Sequence, residues 1–203
     1  MRLSSVDNLF PYQYDKRNLL TSPTIVLIIA NVIMYIILQL IGDSAYYFLG
    51  QQSQLVFQGY FWQLFTSMFV HFDIYHILFN MFALYYFGRL NEAHFSDSQF
   101  FAIYFGSGLL GNIMSLFLLG PTDLSGGASG AIFGLVGSYV AIARKAQHMG
   151  VALLYAVVIF IESSGAGVNI FAHLFGLVGG LVLGMFFANR RSHGFSTGYT
   201  ITT

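Results

Sequence analysis

Two polar side chains in apolar segments have the types needed for acyl-transfer chemistry. Ser129 stands at the start of an apolar segment, directly after the small residues Gly126–Ala128. A later apolar segment, "NIFAHLFGLVGGLVLG", carries His173 near its beginning. Serine is a weak nucleophile unless a base takes its proton, and histidine is the usual base. Ser129 and His173 could therefore form a nucleophile–base pair.

Other groups in the sequence could stabilise a negatively charged oxygen. In "HFDIYHILFNMF", His76 and Asn80 are four residues apart, so they share one face of a helix. Backbone N–H groups at the start of a helix are unpaired, and Gly126–Gly127 lets the chain bend before Ser129. Each well-placed donor lowers the energy of an oxyanionic transition state by about 3–4 kcal/mol.

The composition indicates a membrane environment for these residues. Of the 203 residues, 56% are hydrophobic and 8% are charged, whereas soluble domains carry roughly 25% charged residues. Such a chain cannot cover itself with polar surface, which predicts a polytopic membrane protein. A net charge of zero leaves no basic face for nucleic acid, and the lack of cysteine excludes disulfides and thiolate chemistry. Residues 1–21 are unlike a signal peptide and are predicted to form a short cytoplasmic arm.

Uncharged stretches predict six membrane helices. The first lies between Arg17 and Asp43, and the others are 74–88, 98–122, 124–143, 146–161 and 163–189. The stretch Ser44–Phe72 is rich in glutamine and aromatic residues and is predicted to be an interfacial loop. With the N terminus inside, six spans place all eight Lys and Arg residues on one side. We therefore predict an all-α, six-helix bundle at 22–189 with cytoplasmic termini, followed by a polar tail at 190–203.

In this topology the second, fourth and sixth helices carry polar residues near their outer ends. At 1.5 Å per residue, four of these residues fall at similar depth: His76, Asn80, Ser129 and His173. Polar side chains inside a membrane are costly and usually functional. No acidic residue on these helices lies at that depth, so the simplest arrangement is a Ser–His dyad without a third carboxylate.

Small residues on the sixth helix predict close helix packing. Gly176, Gly180 and Gly184 recur every four residues, a pattern that lets helix backbones approach each other. Packing of this face against the fourth helix would bring His173 to Ser129.

Three motifs resemble those of the rhomboid intramembrane serine proteases. They are "HILFN" at His76–Asn80, "GASG" at Gly127–Gly130 and "AHLFGLVGG" at Ala172–Gly180, in the family's order on the second, fourth and sixth helices. The resemblance covers roughly 22–189 and implies a bacterial-type, six-helix protease without a cofactor. It also implies that "FWQLFTSMFVHF" belongs to a large first loop, half-embedded in the outer leaflet.

The resemblance assigns roles to individual residues. It implies that Ser129 is the nucleophile and His173 the general base. His76 and Asn80, together with the Ser129 amide, would form the oxyanion hole, and Gly127 would shape the turn before the serine.

Two positions depart from the family pattern. The family's first loop usually has Trp-Arg where this chain has Trp62–Gln63, which bears on the hydrogen bonding within the loop. Many relatives have tyrosine four residues after the serine, where this chain has Phe133, which keeps ring stacking on the histidine but loses the hydroxyl. Neither change removes a catalytic group.

The implied function is hydrolysis of a peptide bond in or near the outer end of a transmembrane segment of a membrane-protein substrate. The small residues around Ser129 predict a modest pocket and a small residue before the cleaved bond. The predicted route of entry passes the fifth helix and the loop "ESSGAGVN". The predicted location is a bacterial inner membrane, with the active site open to the extracytoplasmic side.

Two other classes of function stay open at this stage. A non-catalytic relative would bind membrane clients, although the intact Ser129 and His173 argue against it. A channel or transporter could use His76 and His173 in a proton relay or as metal ligands. A zinc site needs at least three protein ligands, with only His71 near in sequence, and the lack of a buried carboxylate weakens the relay.

Overall fold

The regular elements of the described structure are helices. The computed structural model describes residues 21–142, 150 and 169–194. In chain order it contains α1 (Pro23–Ile41), α2 (Asp43–Leu49), α3 (Ser53–Phe57), α4 (Gln63–Thr66), a 3-10 turn (Ser67–Phe69), α5 (Ile74–Glu92), α6 (Asp97–Ser115), α7 (Ser129–Ile142) and α8 (Ile170–Gly194). The predicted all-α class is therefore confirmed for this part of the chain. Most of the predicted arm, the fifth helix, the loop before the sixth helix and the end of the tail lie outside the described residues.

Two described helices are long and apolar enough to cross a membrane. They are α1 and the part of α8 at Ile170–Arg190. A third candidate arises only if α5 is joined to Gln63–Phe69, and these two segments are bent by 92°. The six-span count thus stays a prediction.

Local capping explains where three of the helices begin. Ser22 caps α1 by accepting a hydrogen bond from the Ile25 N–H, and Pro23 occupies the first helical position, where its missing N–H is harmless. Asp73 caps α5 by accepting a hydrogen bond from the His76 N–H at 2.8 Å. Ser96 begins a capping box at the start of α6.

Several helices begin or end at residues other than the limits of the predicted uncharged stretches. α5 continues through Glu92 rather than ending at Gly88, because Arg89 and Glu92 form an ion pair inside the protein and charge there does not end the helix. α6 ends at Ser115, well before residue 122, and α7 begins only at Ser129. α8 continues to Gly194, since arginines at its end are compatible with helix.

The helix α7 is the centre of the described bundle. Every residue from Ser129 to Tyr139 is buried, so α7 is enclosed on all sides by other elements. Its contact with α8 is a seam between backbones, in which three glycines of α8 face three small residues of α7. Gly176 faces Gly130, Gly180 faces Gly134, and Gly184 faces Ser138. A Cβ atom on any of these α8 glycines would overlap α7, so close approach requires glycine there.

Short elements fill the stretch Ser44–Phe72, and its place as an interfacial loop rather than a span stays a prediction. Its helices α3 and α4 have only 5 and 4 residues. Gln51 pairs with Ser125 through two backbone hydrogen bonds of 2.8 and 2.9 Å, which joins this loop to the segment before Ser129.

Gln63, which stands where the family's first loop usually has arginine, forms hydrogen bonds within the loop. Its side chain is fully buried, its Oε1 accepts from the Gln52 N–H at 3.0 Å, and its Nε2 donates to the Tyr47 carbonyl at 3.0 Å. A neutral amide thus bridges two backbone segments without a buried charge.

Candidate active site

Ser129 and His173 are in direct contact across the seam between α7 and α8. The distance from His173 Nε2 to Ser129 Oγ is 2.7 Å, within hydrogen-bonding range. Both side chains are buried, with 9% and 2% of their surfaces exposed. Ser129 is the first residue of α7, and His173 lies in the first turn of α8, so the two helix starts meet at this point.

An aromatic ring supports the imidazole of His173. Phe133 lies one turn after Ser129 on α7, and its ring stacks on His173 with centroids 4.7 Å apart and planes at 19°. The stacking that the sequence predicted for this position is present without a hydroxyl group. Because Phe133 holds one face of the ring, rotation of the imidazole away from Ser129 is opposed.

Gly127 lies between His76 and the serine. Its φ of +129° is in the region that favours glycine. A Cβ atom there would lie 2.8 Å from His76 Nε2 and 3.5 Å from Ser129 Oγ. The ring of His76 and the hydroxyl of Ser129 therefore flank the same glycine, which leaves no room for a larger residue.

Asn80 lies one helical turn after His76 on α5. Its Nδ2 donates one hydrogen bond to the His76 carbonyl at 2.8 Å, and Asn80 is 7% exposed. An amide nitrogen has two N–H groups, so one donor remains after this bond is made. Thus α5 contributes two nitrogen groups, from His76 and Asn80, on the face predicted by their spacing.

Asn169 fixes the start of α8. Its Oδ1 accepts from the Ala172 N–H at 2.9 Å, as an N-cap does, and its Nδ2 lies 3.4 Å from Ser125 Oγ. One side chain thereby links the helix of His173 to the segment that leads into Ser129. This capping bond was not predicted from the sequence.

Among the residues that the structure describes, no Asp or Glu side chain contacts His173 as a third member of the site. Its Nδ1 is buried and has no hydrogen-bond partner among the residues that the structure describes. Within the same residues, no group of three or more His, Cys, Asp or Glu side chains is placed to bind a metal ion.

Two loop residues at the site were not predicted from the sequence. Ser67 and His71 contact the backbone just before Ser129, through the N–H groups of Gly127 and Ala128. Ser67 lies in the 3-10 turn and makes its contact through the backbone carbonyl, while His71 lies in the irregular segment before α5, where no periodicity predicts which way a side chain points. The only signal was a histidine in an apolar stretch, "SMFVHF".

Comparison with known proteins identifies the family. The model of the Rhomboid domain matches residues 58–190. The rhomboid protease GluP of Bacillus subtilis (strain 168) is 32% identical over 169 residues, covering 77% of this chain and 33% of GluP. The rhomboid protease GlpG of Salmonella choleraesuis (strain SC-B67) is 29% identical over 184 residues, covering 86% of this chain and 66% of GlpG. Rhomboid-like protease 3 of Toxoplasma gondii is 30% identical over 173 residues, covering 76% of this chain and 65% of that protease.

This chain belongs to the rhomboid family. Together with the apolar helices α1 and α8, membership of the family makes it an integral membrane protein. The matched region spans about a third of GluP and about two thirds of GlpG, so the relatives are longer than the region they share with it.

Proposed function

We propose that this chain is an intramembrane serine endopeptidase that uses Ser129 and His173 as a catalytic dyad. The observation that carries the proposal is the 2.7 Å contact between His173 Nε2 and Ser129 Oγ, buried between two helix starts. Membership of the rhomboid family and the names of the relatives as rhomboid proteases support the same activity.

The proposed reaction has two halves. Ser129 Oγ attacks the carbonyl carbon of the substrate while its proton passes to His173 Nε2, which gives a tetrahedral intermediate. The intermediate collapses, the peptide C–N bond breaks, and His173 returns the proton to the leaving amine. A water molecule then attacks the acyl-enzyme, with His173 as base, and releases the acid and the free Ser129 hydroxyl.

Three donors would hold the negatively charged oxygen of this intermediate. As the first residue of α7, Ser129 has a backbone N–H without an acceptor inside the helix. His76 Nε2 lies beside Gly127, and Asn80 has a second N–H to donate. The positive end of the α7 dipole favours negative charge at the same place.

The proposed substrates are membrane proteins cleaved in or near the outer end of a transmembrane segment. A helical substrate hides its carbonyl groups in hydrogen bonds, so residues that weaken a helix near the cut favour cleavage. The small residues around Ser129 favour a small residue before the cleaved bond. A cavity of about 270 Å³ is lined by Asp43, Tyr46, Tyr47, Phe72 and Leu124. Its Phe72 ring stacks on the His76 ring with centroids 6.1 Å apart, so the cavity offers room for a further substrate side chain.

The proposed topology has six spans, both termini in the cytoplasm and an active site open to the extracytoplasmic side. The placement of all eight Lys and Arg residues on one side supports it. A bacterial inner membrane is the proposed location.

The test is cleavage of a transmembrane substrate by the purified protein in detergent. We expect Ser129→Ala and His173→Ala to abolish cleavage, and Ser129→Ala to abolish labelling by a fluorophosphonate. Ser98→Ala and His94→Ala are matched controls, because Ser98 and His94 are exposed residues away from the site. A folded wild-type protein that neither cleaves nor labels would contradict the proposal and favour a membrane-client-binding role. Labelling without cleavage of that substrate would support the nucleophile and direct the search to other transmembrane substrates.

A further inference from the structure

The 3-10 turn and the segment that joins it to α5 hold the backbone that leads into Ser129. The Gly127 N–H donates to the Ser67 carbonyl at 2.9 Å. The Ala128 N–H donates to His71 Nε2 at 3.4 Å, across 57 residues of sequence. His71 is fully buried, so this contact is made inside the protein and away from competing water.

These two bonds hold the two peptide units that precede the unit carrying the Ser129 N–H. A peptide unit is planar, so a fixed N–H direction fixes the plane of its whole unit. The units ending at Gly127 and Ala128 are both held in this way, on either side of the φ of +129° at Gly127. The following N–H, that of Ser129, is the first without an acceptor in its own helix.

The chemistry of His71 suits an acceptor at this place. A ring nitrogen accepts a hydrogen bond only when it carries no proton, so Nε2 must be bare and the ring neutral. Burial, together with the neighbouring His76 ring at a centroid distance of 5.0 Å, lowers the pKa of His71 to about 3. His71 is therefore neutral at physiological pH and keeps Nε2 as an acceptor.

We propose that His71 is a positioning residue of the active site, which aims the Ser129 amide at the substrate's carbonyl oxygen by accepting the hydrogen bond of the Ala128 amide. This inference rests on the proposed peptidase function. His71 itself acts through the backbone, since its ring nitrogen is bonded to Ala128 and not directed to the hydroxyl of Ser129.

A matched pair of substitutions separates hydrogen bonding from shape. Glutamine in His71→Gln can place an acceptor oxygen near the position of Nε2, whereas His71→Met has a similar length and only a weak acceptor. We expect His71→Met to lower kcat by about tenfold to a hundredfold, as misplacement of a catalytic group by about 1 Å does, with little change in KM. We expect His71→Gln to recover most of the loss. The same two substitutions at the exposed His94 should leave kcat unchanged.

Two further measurements make the result decisive. The melting temperature in detergent should be similar for both His71 variants, and hydrogen exchange of the segment 126–129 should be faster in His71→Met and restored in His71→Gln. The proposal is overturned if His71→Met has wild-type kcat, or if both variants lose activity equally. If the amides of 126–129 in His71→Met exchanged hydrogen at the wild-type rate, the proposal would be overturned even if no substrate were cleaved. Failure of the peptidase proposal would instead be seen in the wild type, as absence of both cleavage and fluorophosphonate labelling.

Discussion

At the scale of single residues, Phe133 is the side chain that stacks on His173. Replacing it tests whether stacking orients the imidazole. Its centroid lies 4.7 Å from that of the imidazole, and stacked aromatic pairs contribute about 0.5–1.5 kcal/mol beyond burial. Phe133→Leu keeps an apolar side chain and removes the ring. We expect it to lower kcat by about two- to tenfold, whereas Phe133→Tyr should retain wild-type kcat. Steady-state cleavage kinetics check this, and an unchanged kcat in Phe133→Leu would show that the ring is not needed for orientation.

A second prediction at this scale concerns Gly127. In Gly127→Ala the Cβ atom would meet His76 Nε2 at 2.8 Å in a backbone of φ +129°, so His76 must move. Because loss of one oxyanion donor lowers kcat by about 10²–10³, we expect a loss of this size in Gly127→Ala. The control is Gly59→Ala, where φ is +106° and nothing lies within 4 Å of the added atom. That change should lower stability by about 1–2 kcal/mol and leave kcat alone, as measured by cleavage and thermal unfolding. Equal kcat values for the two variants would contradict the proposed place of His76.

At the scale of elements, the seam between α7 and α8 sets the distance between the two halves of the dyad. In Gly180→Ala the Cβ atom would overlap the Gly134 carbonyl oxygen, which belongs to backbone and cannot rotate away. We expect destabilisation of about 1–3 kcal/mol and reduced cleavage. In the control Gly106→Ala the nearest atom is the terminal Leu183 Cδ1 at 3.2 Å, which can move. Thermal unfolding in detergent compares the two, and equal melting temperatures would contradict a backbone seam.

Some of these elements were predictable from sequence and others were not. The four-residue spacing of His76 and Asn80 correctly predicted a shared helix face, because helix periodicity is a local property. The uncharged stretch 124–143 predicted too early a start for α7, which begins at Ser129, because an apolar loop and an apolar helix have the same composition. The contacts of Ser67 and His71 depend on tertiary folding of an irregular loop, and no pattern in one sequence encodes them.

At the scale of the whole molecule, a buried cluster joins the start of α1 to the end of α5. One oxygen of Glu92 accepts from Ser22 Oγ and from the Thr24 N–H, both at 2.7 Å, while the other pairs with Arg89. Glu92→Gln leaves the buried Arg89 without its counter-charge, so we expect destabilisation of about 3–5 kcal/mol. The double variant Glu92→Gln with Arg89→Met should be less destabilised than Glu92→Gln alone. Thermal unfolding tests this, and a double variant that is less stable would contradict it.

The proposed topology is testable across the membrane because the chain has no cysteine of its own. Ser98 is an exposed residue in the first turn of α6 and Thr122 is an exposed residue after its end, so the two should lie on opposite sides. In intact bacterial cells, we expect a membrane-impermeant maleimide to label Thr122→Cys at once and Ser98→Cys only after permeabilisation. Cysteine-free wild type is the control for background labelling. Equal labelling of both variants in intact cells would rule out the six-span arrangement.

The backbone seam between α7 and α8 also has a kinetic consequence. Where backbones meet, no side-chain rotamer can absorb a shift, so the two helices that carry Ser129 and His173 cannot slide past each other without overlap. Adjustment for a bulky substrate must then come from elements other than these two helices. Changes that ease entry should therefore speed the turnover of a protein substrate, yet leave the reaction with a small phosphonylating reagent at its original rate.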